Sequence, residues 1–375
     1  MFKISAIVVA AGMSSRMGAF KPLLKLQGTP MIELVIEKFR NVGVEDILVV
    51  TGNRANELEP ILSSLRVRYI RNEHYAETHM FDSAVIGIKK LLNQCDAAFF
   101  LPVDMPVFKI HSLKKMIELM MSTRVDIIRP CYKERRGHPL LIAESCFHKL
   151  LSHDGNNGLR GALNSPELSV TELQLPDPGL VMDADTAEDY KELCNYSERK
   201  QMPSLEECKE IQNYFHMQTR TIRHCDKVAE IARRLVGKLK QAGHFLDEDL
   251  VVVGALLHDL AKGSANHAEV GGEWLDDLGY SPVAKVVAAH TDLPEEAGEV
   301  IDERAVVFYA DKLVKEDVEI PLDEKIQGSL QKFGNAEAVR TIVMHRMNAA
   351  KRIQIRIDDI VTQAIGEGVN YAQEN

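Results

Sequence analysis

Two sets of residues in this chain have the types and spacing for chemistry on phosphates. The first lies in the segment VVAAGMSSRMGAFKPLL, Val8 to Leu24, which holds Arg16 and Lys21 and no acid. The whole chain carries a formal net charge of −10, so a stretch free of carboxylates is a local choice. Ala10, Ala11, Gly12, Met13, Ser14 and Ser15 are mostly small, and successive backbone N–H groups of such a turn can face one concavity and bind an anion. Arg16 offers a bidentate fork and Lys21 a point charge, a usual pairing toward phosphate oxygens. From these residues alone the segment is either an ordinary turn after a first strand or a cradle for a phosphate chain.

The second set consists of histidines and aspartates on apolar helix faces. In TIRHCDKVAEIARRL, His224 shares a face with Val228, Ile231 and Leu235. VVVGALLHDLAK ends an apolar helix in His258 and Asp259. His267 shares a face with Val270, Gly271 and Trp274; His290 follows Val283, Val286 and Val287; Asp311 lies between Phe308 and Val314. One inward histidine is usually a satisfied core residue. Four of them with two aspartates form a different problem, because a buried carboxylate without a partner is costly. A shared divalent cation removes most of that cost, with imidazoles as ligands and carboxylates balancing its charge. The donor types suit Fe, Mn, Ni, Mg or Zn and do not choose among them. Lys262, one turn after His258, is placed either to steady a phosphate or simply to complement a helix end. His216, His244 and His345 have no comparable company and read as structural or surface residues.

These residues need elements to position them. The first ~190 residues alternate apolar runs with amphipathic segments, the rhythm of βαβ units. Candidate strands are Ile4–Ala10, Asp46–Thr51, Val67–Ile70, Ala97–Val103, Asp126–Arg129 and Pro139–Ala143. Runs such as AIVVA and AAFFLPV suit a mostly parallel sheet covered on both faces. Asp104, in LPVDMP, would then sit just past the carboxyl end of a strand, where open α/β sheets bind ligands. Thr29 reads as an N-cap with Pro30 at the first helical position, followed by Ile32, Val35, Ile36 and Phe39 on one face.

The rhythm stops near Tyr196. The polar SERKQMPSLEE follows, in which Ser204 and Glu207 form a capping box. The expected organisation is an α/β domain over 1–196, a linker over 197–206 and an all-α domain over 207–375. The last stretch carries Ile353, Ile357, Ile360 and Val361 on one face. Asp358 and Asp359 interrupt its basic side, so it reads as a packing helix rather than a membrane-surface helix.

Composition narrows the function classes. The 375 residues are 45% hydrophobic and 27% charged, as in soluble proteins of two or three domains. No apolar run is long enough to span a bilayer. The N-terminus has no basic region ahead of its apolar stretch and reads as a first strand, which implies a cytoplasmic protein. Six cysteines form no CxxC pair and read as reduced thiols. The acidic balance argues against a nucleic-acid partner.

The ordered pattern A-A-G-x-S-x-R-M-G-x-x-K resembles the N-terminal motif of nucleotidyltransferases related to the molybdenum cofactor enzymes, with AAG nearest the cytidylyltransferase branch. LPVDMP, RGHP, GNNGLR and MDADTAEDY follow in family order, so the resemblance covers about residues 1–195. It implies a Rossmann-like fold of the nucleotide-diphospho-sugar transferase type. It implies that Ala10 to Arg16 and Lys21 bind the nucleotide, and that Lys21, Arg16 and Asp104 act in catalysis. Asp104 would hold Mg²⁺ with Asp185 and Asp183, and Gly137, His138, Pro139, Gly158 and Arg160 would bind the acceptor. The implied substrates are CTP and molybdopterin, with an apo-molybdoenzyme as a partner. GTP, a sugar or alcohol phosphate acceptor, and a cofactor-insertion chaperone stay open as alternatives. One departure stands out: Thr78 and His79 precede Met80 where the family has Gly then Met, which bears on base preference or loop shape.

The ordered set His224, His258-Asp259 and Asp311 resembles the HD-domain phosphohydrolases across about residues 207–345. The resemblance implies that these four ligate metal, that His267 and His290 are the extra ligands of two-metal members, and that Asp259 and Lys262 act in catalysis. The implied reaction is hydrolysis of a phosphate ester by metal-activated water. A ligand-sensing HD domain without turnover is the alternative.

Overall fold

In a computed structural model of the chain, residues 2–13, 16–293, 300–333 and 337–373 are described. Two compact units divide it, Met1–Arg199 and Lys200–Asn375.

The first unit contains strands β1 (Ile4–Ala10), β2 (Lys25–Leu26), β3 (Thr29–Pro30), β4 (Asp46–Thr51), β5 (Arg68–Arg71), β6 (Ala97–Pro102), β7 (Ile127–Tyr132), β8 (Arg135–Arg136), β9 (Leu140–Ala143) and β10 (Val170–Gln174). Its helices are α1 (Met31–Arg40), α2 (Ala55–Ser64), α3 (Met80–Leu91), α4 (Ile110–Ser122), α5 (Phe147–Leu151), α6 (Gly158–Leu163) and α7 (Ala187–Glu198). The main sheet has the order β10-β7-β9-β6-β1-β4-β5, with β8 paired to β7. Its pairings are parallel apart from those of β9 and β8. Val9 is in register with Val50 on one side and Pro102 on the other. The chain runs from β1 outward to β4 and β5, then returns to β6 on the opposite side of β1. That reversal opens a crevice beyond the carboxyl ends of β1 and β6.

Five of the strands expected from apolar runs match to within a residue or two, while β7 runs on past Arg129 to Tyr132. β10 was not legible, because VTELQ lies half-exposed at the sheet edge and has no continuous apolar run. The expected helix start at Thr29–Pro30 is corrected. Gln27 and Gly28 both take positive φ, 50° and 86°, and turn a two-residue hairpin loop. Its second strand uses Thr29 and Pro30, paired with Leu26 and Lys25, so α1 begins at Met31. On one face of the sheet Phe39 of α1 packs against Phe99 and Phe108, with ring centroids 5.4 and 6.0 Å apart. On the other, α3 lies close to β1. A Cβ at Gly87 would come 2.6 Å from Ile7 Cγ2.

The second unit is helical: α8 (Leu205–Tyr214), α9 (Thr219–Gln241), α10 (Glu248–Leu257), α11 (His267–Asp277), α12 (Ser281–Ala288), α13 (Glu303–Lys312), α14 (Leu322–Phe333) and α15 (Glu337–Gln373). One antiparallel hairpin, β11 (Val314–Lys315) with β12 (Val318–Glu319), adds to the all-helical expectation. Two-residue strands are too short to show an alternating pattern. Between the units the non-helical stretch is shorter than the composition suggests, since α7 runs to Glu198 and the Ser204–Glu207 capping box starts α8. Ile353 and Ile357 of α15 are buried in the core of this unit. Among the described residues no helix is long and apolar enough to cross a membrane.

Candidate phosphate sites in the two domains

In the first domain, β1 delivers Ala10 and the turn after it to the crevice. Asn53 holds that turn, its N–H donating to the Ala11 carbonyl at 3.2 Å and its Nδ2 to the Met13 carbonyl at 3.4 Å. β6 ends at Pro102 and leaves Asp104 beside it. The loop carrying Asp185 is set against Asp104 by the Ala184 N–H, which donates to the Asp104 carbonyl at 3.1 Å. Immediately after Asp185, Thr186 and Asp189 form the capping box that starts α7.

Lys21 reaches both carboxylates, with Nζ 2.7 Å from Asp104 Oδ2 and 2.7 Å from Asp185 Oδ1. Arg16 Nη1 is 3.0 Å from Asp185 Oδ2. Lys21 and Asp104 are 13% and 17% exposed, so this charge cluster is poorly screened. Burial alone would lower the Lys21 pKa, but the bonds and charges of Asp104 and Asp185 outweigh it and hold the ammonium above its usual value. The Lys21 hydrogen bond holds Asp185 below the usual carboxylate range. Asp183 is exposed and does not line the cavity over Lys21; partial desolvation pushes its carboxyl up, with the charges of Asp185 and Asp104 adding to the effect. Two carboxylates already neutralised by an ammonium are the donor set that a hard cation would take over, freeing Lys21 for phosphate oxygens.

A cavity of about 250 Å³ lies over this cluster, lined by Ala10, Ala11, Gly12, Met13, Lys21, Asp104 and Asp185. Thr78, His79 and Met80, the departure from the family pattern, lie in its wall together with Tyr75 and Ser83, which carry neither charge nor motif and so leave no signal in the sequence. His79 is the N-cap of α3, and its N–H donates to Asp82 Oδ2 at 2.8 Å. Ser14 and Ser15 lie outside the described residues.

The five residues expected at an acceptor site do not line this cavity. RGHP is tied into the sheet: the Gly137 N–H donates to the Pro130 carbonyl and the His138 N–H to the Leu180 carbonyl, both at 2.8 Å. A Cβ at Gly137 would meet the Leu180 carbonyl oxygen at 2.3 Å, so that glycine permits close packing. Pro139 is buried. His138 feels the charge of Asp104, and burial pushes its imidazole down to about 4. Gly158 begins α6, and Arg160 is exposed on it.

In the second domain, three helices and two turns converge on Asp259: His224 on α9, His267 on α11 and Asp311 on α13, with His258–Asp259 in the turn after α10 and His290 just after α12. Its Oδ2 faces His258 Nε2 at 3.5 Å and His224 Nε2 at 3.9 Å; its Oδ1 faces His267 Nε2 at 3.3 Å and His290 Nε2 at 3.6 Å. Asp311 Oδ1 lies 3.0 Å from His224 Nε2 and 3.8 Å from His258 Nε2. Nε2 of His267 and of His290 are 3.1 Å apart. Two ligand triads emerge, His224–His258–Asp259 and Asp259–His267–His290, sharing one carboxylate.

Three of the rings are oriented by backbone carbonyls at Nδ1: His224 by Glu316 at 2.6 Å, His258 by Ala255 at 2.8 Å and His290 by Val287 at 2.7 Å. An Nδ1 proton given to a carbonyl leaves the Nε2 lone pair facing inward, as metal-ligating histidines do. His258 Nε2 is buried with no hydrogen-bond partner. Such an orphan is what a cation at this point would satisfy. Burial pushes His290 down to about 4, so it is a neutral donor at pH 7. Burial would raise Asp259, but His258, His267 and His290 hold it well below the usual carboxylate range. Burial would likewise raise Asp311, but the charge of Lys312 and the His224 hydrogen bond hold it well below the usual carboxylate range.

The glycine at 254 explains how α10 and α12 come close enough. A Cβ there would be 2.5 Å from Val286 Cγ1. Lys262 Nζ bonds Asp259 Oδ2 at 2.6 Å, and Lys312 Nζ bonds Asp311 Oδ2 at 2.6 Å. Lys312 and the Glu316 carbonyl were not foreseen. The first adjoins Asp311 in sequence, which is a usable signal; the second is a backbone atom and leaves none. His244 Nε2 pairs with the Ile301 carbonyl at 2.7 Å, and His216 and His345 are exposed.

An open α/β sheet with an amide-and-cation crevice, followed by a helical domain around shared imidazoles and carboxylates, defines a nucleotidyltransferase-type domain joined to a helical domain with candidate metal ligands. Residues 6–170 match the family model for the MobA-like NTP transferase domain, and residues 221–315 match that for the HD domain. The chain carries a MobA-like NTP transferase domain followed by an HD domain, and with them the enzyme classes nucleotidyltransferase and HD phosphohydrolase.

Among its relatives is the molybdenum cofactor cytidylyltransferase of Escherichia coli K12, 28% identical over 192 residues, covering 51% of this chain and 95% of that protein. A probable molybdenum cofactor guanylyltransferase of Natranaerobius thermophilus is 33% identical over 129 residues, covering 34% of this chain and 60% of that protein. A solved nucleotidyl transferase from Methanothermobacter aligns over 53% of this chain and 99% of its own, with 24% identity and a TM-score of 0.46.

Proposed function

We propose that the first domain transfers a nucleotidyl group, CMP from CTP, to a phosphorylated acceptor of the molybdopterin type, and that the second hydrolyses a phosphate ester. The observation that carries the first reading is the convergence of Lys21, Asp104 and Asp185 at the crevice where the backbone turn after β1 opens. An acceptor phosphate oxygen attacks the α-phosphorus, the bond from that phosphorus to the bridging oxygen breaks, and pyrophosphate leaves. The Ala10–Met13 amides and Arg16 hold the phosphate chain, Lys21 meets the charge developing on the leaving oxygens, and Asp104 with Asp185 would hold Mg²⁺. The ion would supply charge neutralisation between the phosphates. The cytidylyltransferase among the relatives, aligned over nearly its whole length, supports CTP.

In the second domain His224, His258, Asp259 and Asp311 would hold one divalent ion, and Asp259, His267 and His290 a second. The metals would supply an activated water and polarise the phosphoryl group. Lys262 is placed to contact a phosphoryl oxygen.

The test measures pyrophosphate release from CTP and GTP with molybdopterin, a sugar phosphate and an alcohol phosphate, alongside metal analysis of the purified chain. CTP with molybdopterin should be fastest, and the second domain should bind up to two divalent ions. Faster release with GTP or a sugar phosphate would replace the substrate assignment, and a metal-free, inert second domain would remove the hydrolase.

A further inference from the structure

The cavity over the imidazole cluster, about 610 Å³, has more positive charge than its acids require. Arg220, Lys262, Lys312, Lys315, Lys325 and Arg346 line it, against the carboxylates of Asp259, Asp311 and Glu316. Four of these cations are committed. Lys262 and Lys312 hold the two buried aspartates, Arg220 pairs with Glu316 at 2.7 Å, and Arg346 forks Asp292 at 2.5 and 2.8 Å. Lys315 and Lys325 have no carboxylate partner among the described residues. Lys325 is half-buried and donates to the Val314 carbonyl, the residue just before Lys315, so the two lysines approach the cavity from one corner. Ser329, one turn beyond Lys325 on α14, adds a hydroxyl to the lining.

We infer that this cavity takes substrates with two phosphoryl groups, a diphosphate or a bisphosphate, the second being held by Lys315, Lys325 and Ser329. The inference rests on the hydrolase reading of the HD domain and specifies its substrate class. Two divalent ions at the imidazoles would add positive charge to a lining already in cationic excess, more than one phosphate monoester neutralises. Burial also keeps the Lys325 pKa below its usual value, a cost that a bound anion relieves.

In the reaction, water adds to the phosphorus over the imidazole cluster. The bond from that phosphorus to the leaving oxygen breaks, and inorganic phosphate is released. The leaving fragment keeps the second phosphoryl group and its oxygen takes up a proton or, in a diphosphate, leaves as phosphate oxygen stabilised by the two lysines. Nucleotidyl transfer itself makes one such compound, since it releases pyrophosphate.

The experiment uses the full chain with Lys21→Ala, to silence the first site, loaded with Mn²⁺. Phosphate release is measured from a nucleoside monophosphate, a nucleoside diphosphate, a nucleoside bisphosphate and inorganic pyrophosphate, which separates the sources of the second group. Binding of phosphate and of pyrophosphate is measured by calorimetry. At least one compound with two phosphoryl groups should exceed the monophosphate tenfold in kcat/KM. Lys325→Met should cut that preference by about tenfold, the loss of one charge-assisted hydrogen bond. The exposed Lys315→Ala serves as a second variant should the half-buried one disturb folding. Equal rates for all substrates, or a preference untouched in both variants, would overturn the inference and leave the hydrolase standing. A chain that binds no Mn²⁺ and cleaves none of the four removes the hydrolase and the inference together. Mn²⁺ bound without turnover leaves binding to decide: pyrophosphate must bind tighter than phosphate, and less so in the variants, or the inference fails.

Discussion

Asp259 gives one oxygen to each pair of imidazoles, and this division is a property of a single side chain at 2% exposure. Its cost without a cation is the reason the residue is informative: burial works against the charge that three histidines then restore. His138 in the other domain shows the opposite balance, a neutral imidazole kept neutral by burial, with Nδ1 buried and unpartnered. Its pKa falls from the ordinary 6.5 to about 4 on folding. The unfolded chain therefore binds the proton more readily, so the contribution of this group is fully present above pH 6.5 and is lost as pH falls through 4. Between pH 7 and 5 that loss is roughly 2 kcal/mol. Chemical denaturation of wild type and His138→Asn across this range should show a shallower pH slope in the variant. Parallel slopes would mean that the imidazole is already accessible to protons.

Helices place the side chains, and they do so through close approaches. Gly254 brings α10 against α12, and with them His258 against His290, whose ring centroids are 4.9 Å apart. Two opposing effects meet in Gly254→Ala. Alanine favours a helix by about 1 kcal/mol over glycine. Overpacking against Val286, a stiff β-branched neighbour, costs about 1–3 kcal/mol. The overpacking should win, so the melting temperature falls and the bound-metal stoichiometry drops as the two histidines separate. A variant that melts no lower and keeps its full metal would show that the helices yield without moving their ends. In the first domain Gly87 has the matching role, seating α3 on β1 so that its N-terminus reaches the crevice. The helix start at Thr29 was misjudged for a related reason. A cap and a proline are local signals, and the adjoining hairpin, which needs those residues extended, outweighs them.

At the scale of the molecule, two phosphate sites are built from different chemistry, backbone amides with cations in one domain and imidazoles with carboxylates in the other. Lys21→Ala should lower nucleotidyl transfer by about 100–1,000-fold, as removal of one preorganised donor does, and spare phosphate-ester hydrolysis. His258→Ala should abolish hydrolysis and metal binding in the second domain and spare transfer. Assays of both activities on each variant decide this, and joint loss in both variants would end the idea of separable sites. Much of this arrangement was legible in the chain before folding. Periodicity separated the sheet domain from the helical one, because burial of apolar residues imposes a period wherever an element has a covered face. The inward histidines were visible for the same reason, since a polar residue on an apolar stripe breaks the pattern. Distance was not legible. Only the tertiary structure set Lys21 between Asp104 and Asp185, turned one oxygen of Asp259 to each histidine pair, and brought Lys315 and Lys325 to the lining of the second cavity. Gly137 and Arg160 do not line the cavity over Lys21. The physical reason is one of range: patterning reports what each residue must exchange with water, whereas a site depends on which residues, remote in the chain, share the same few ångströms.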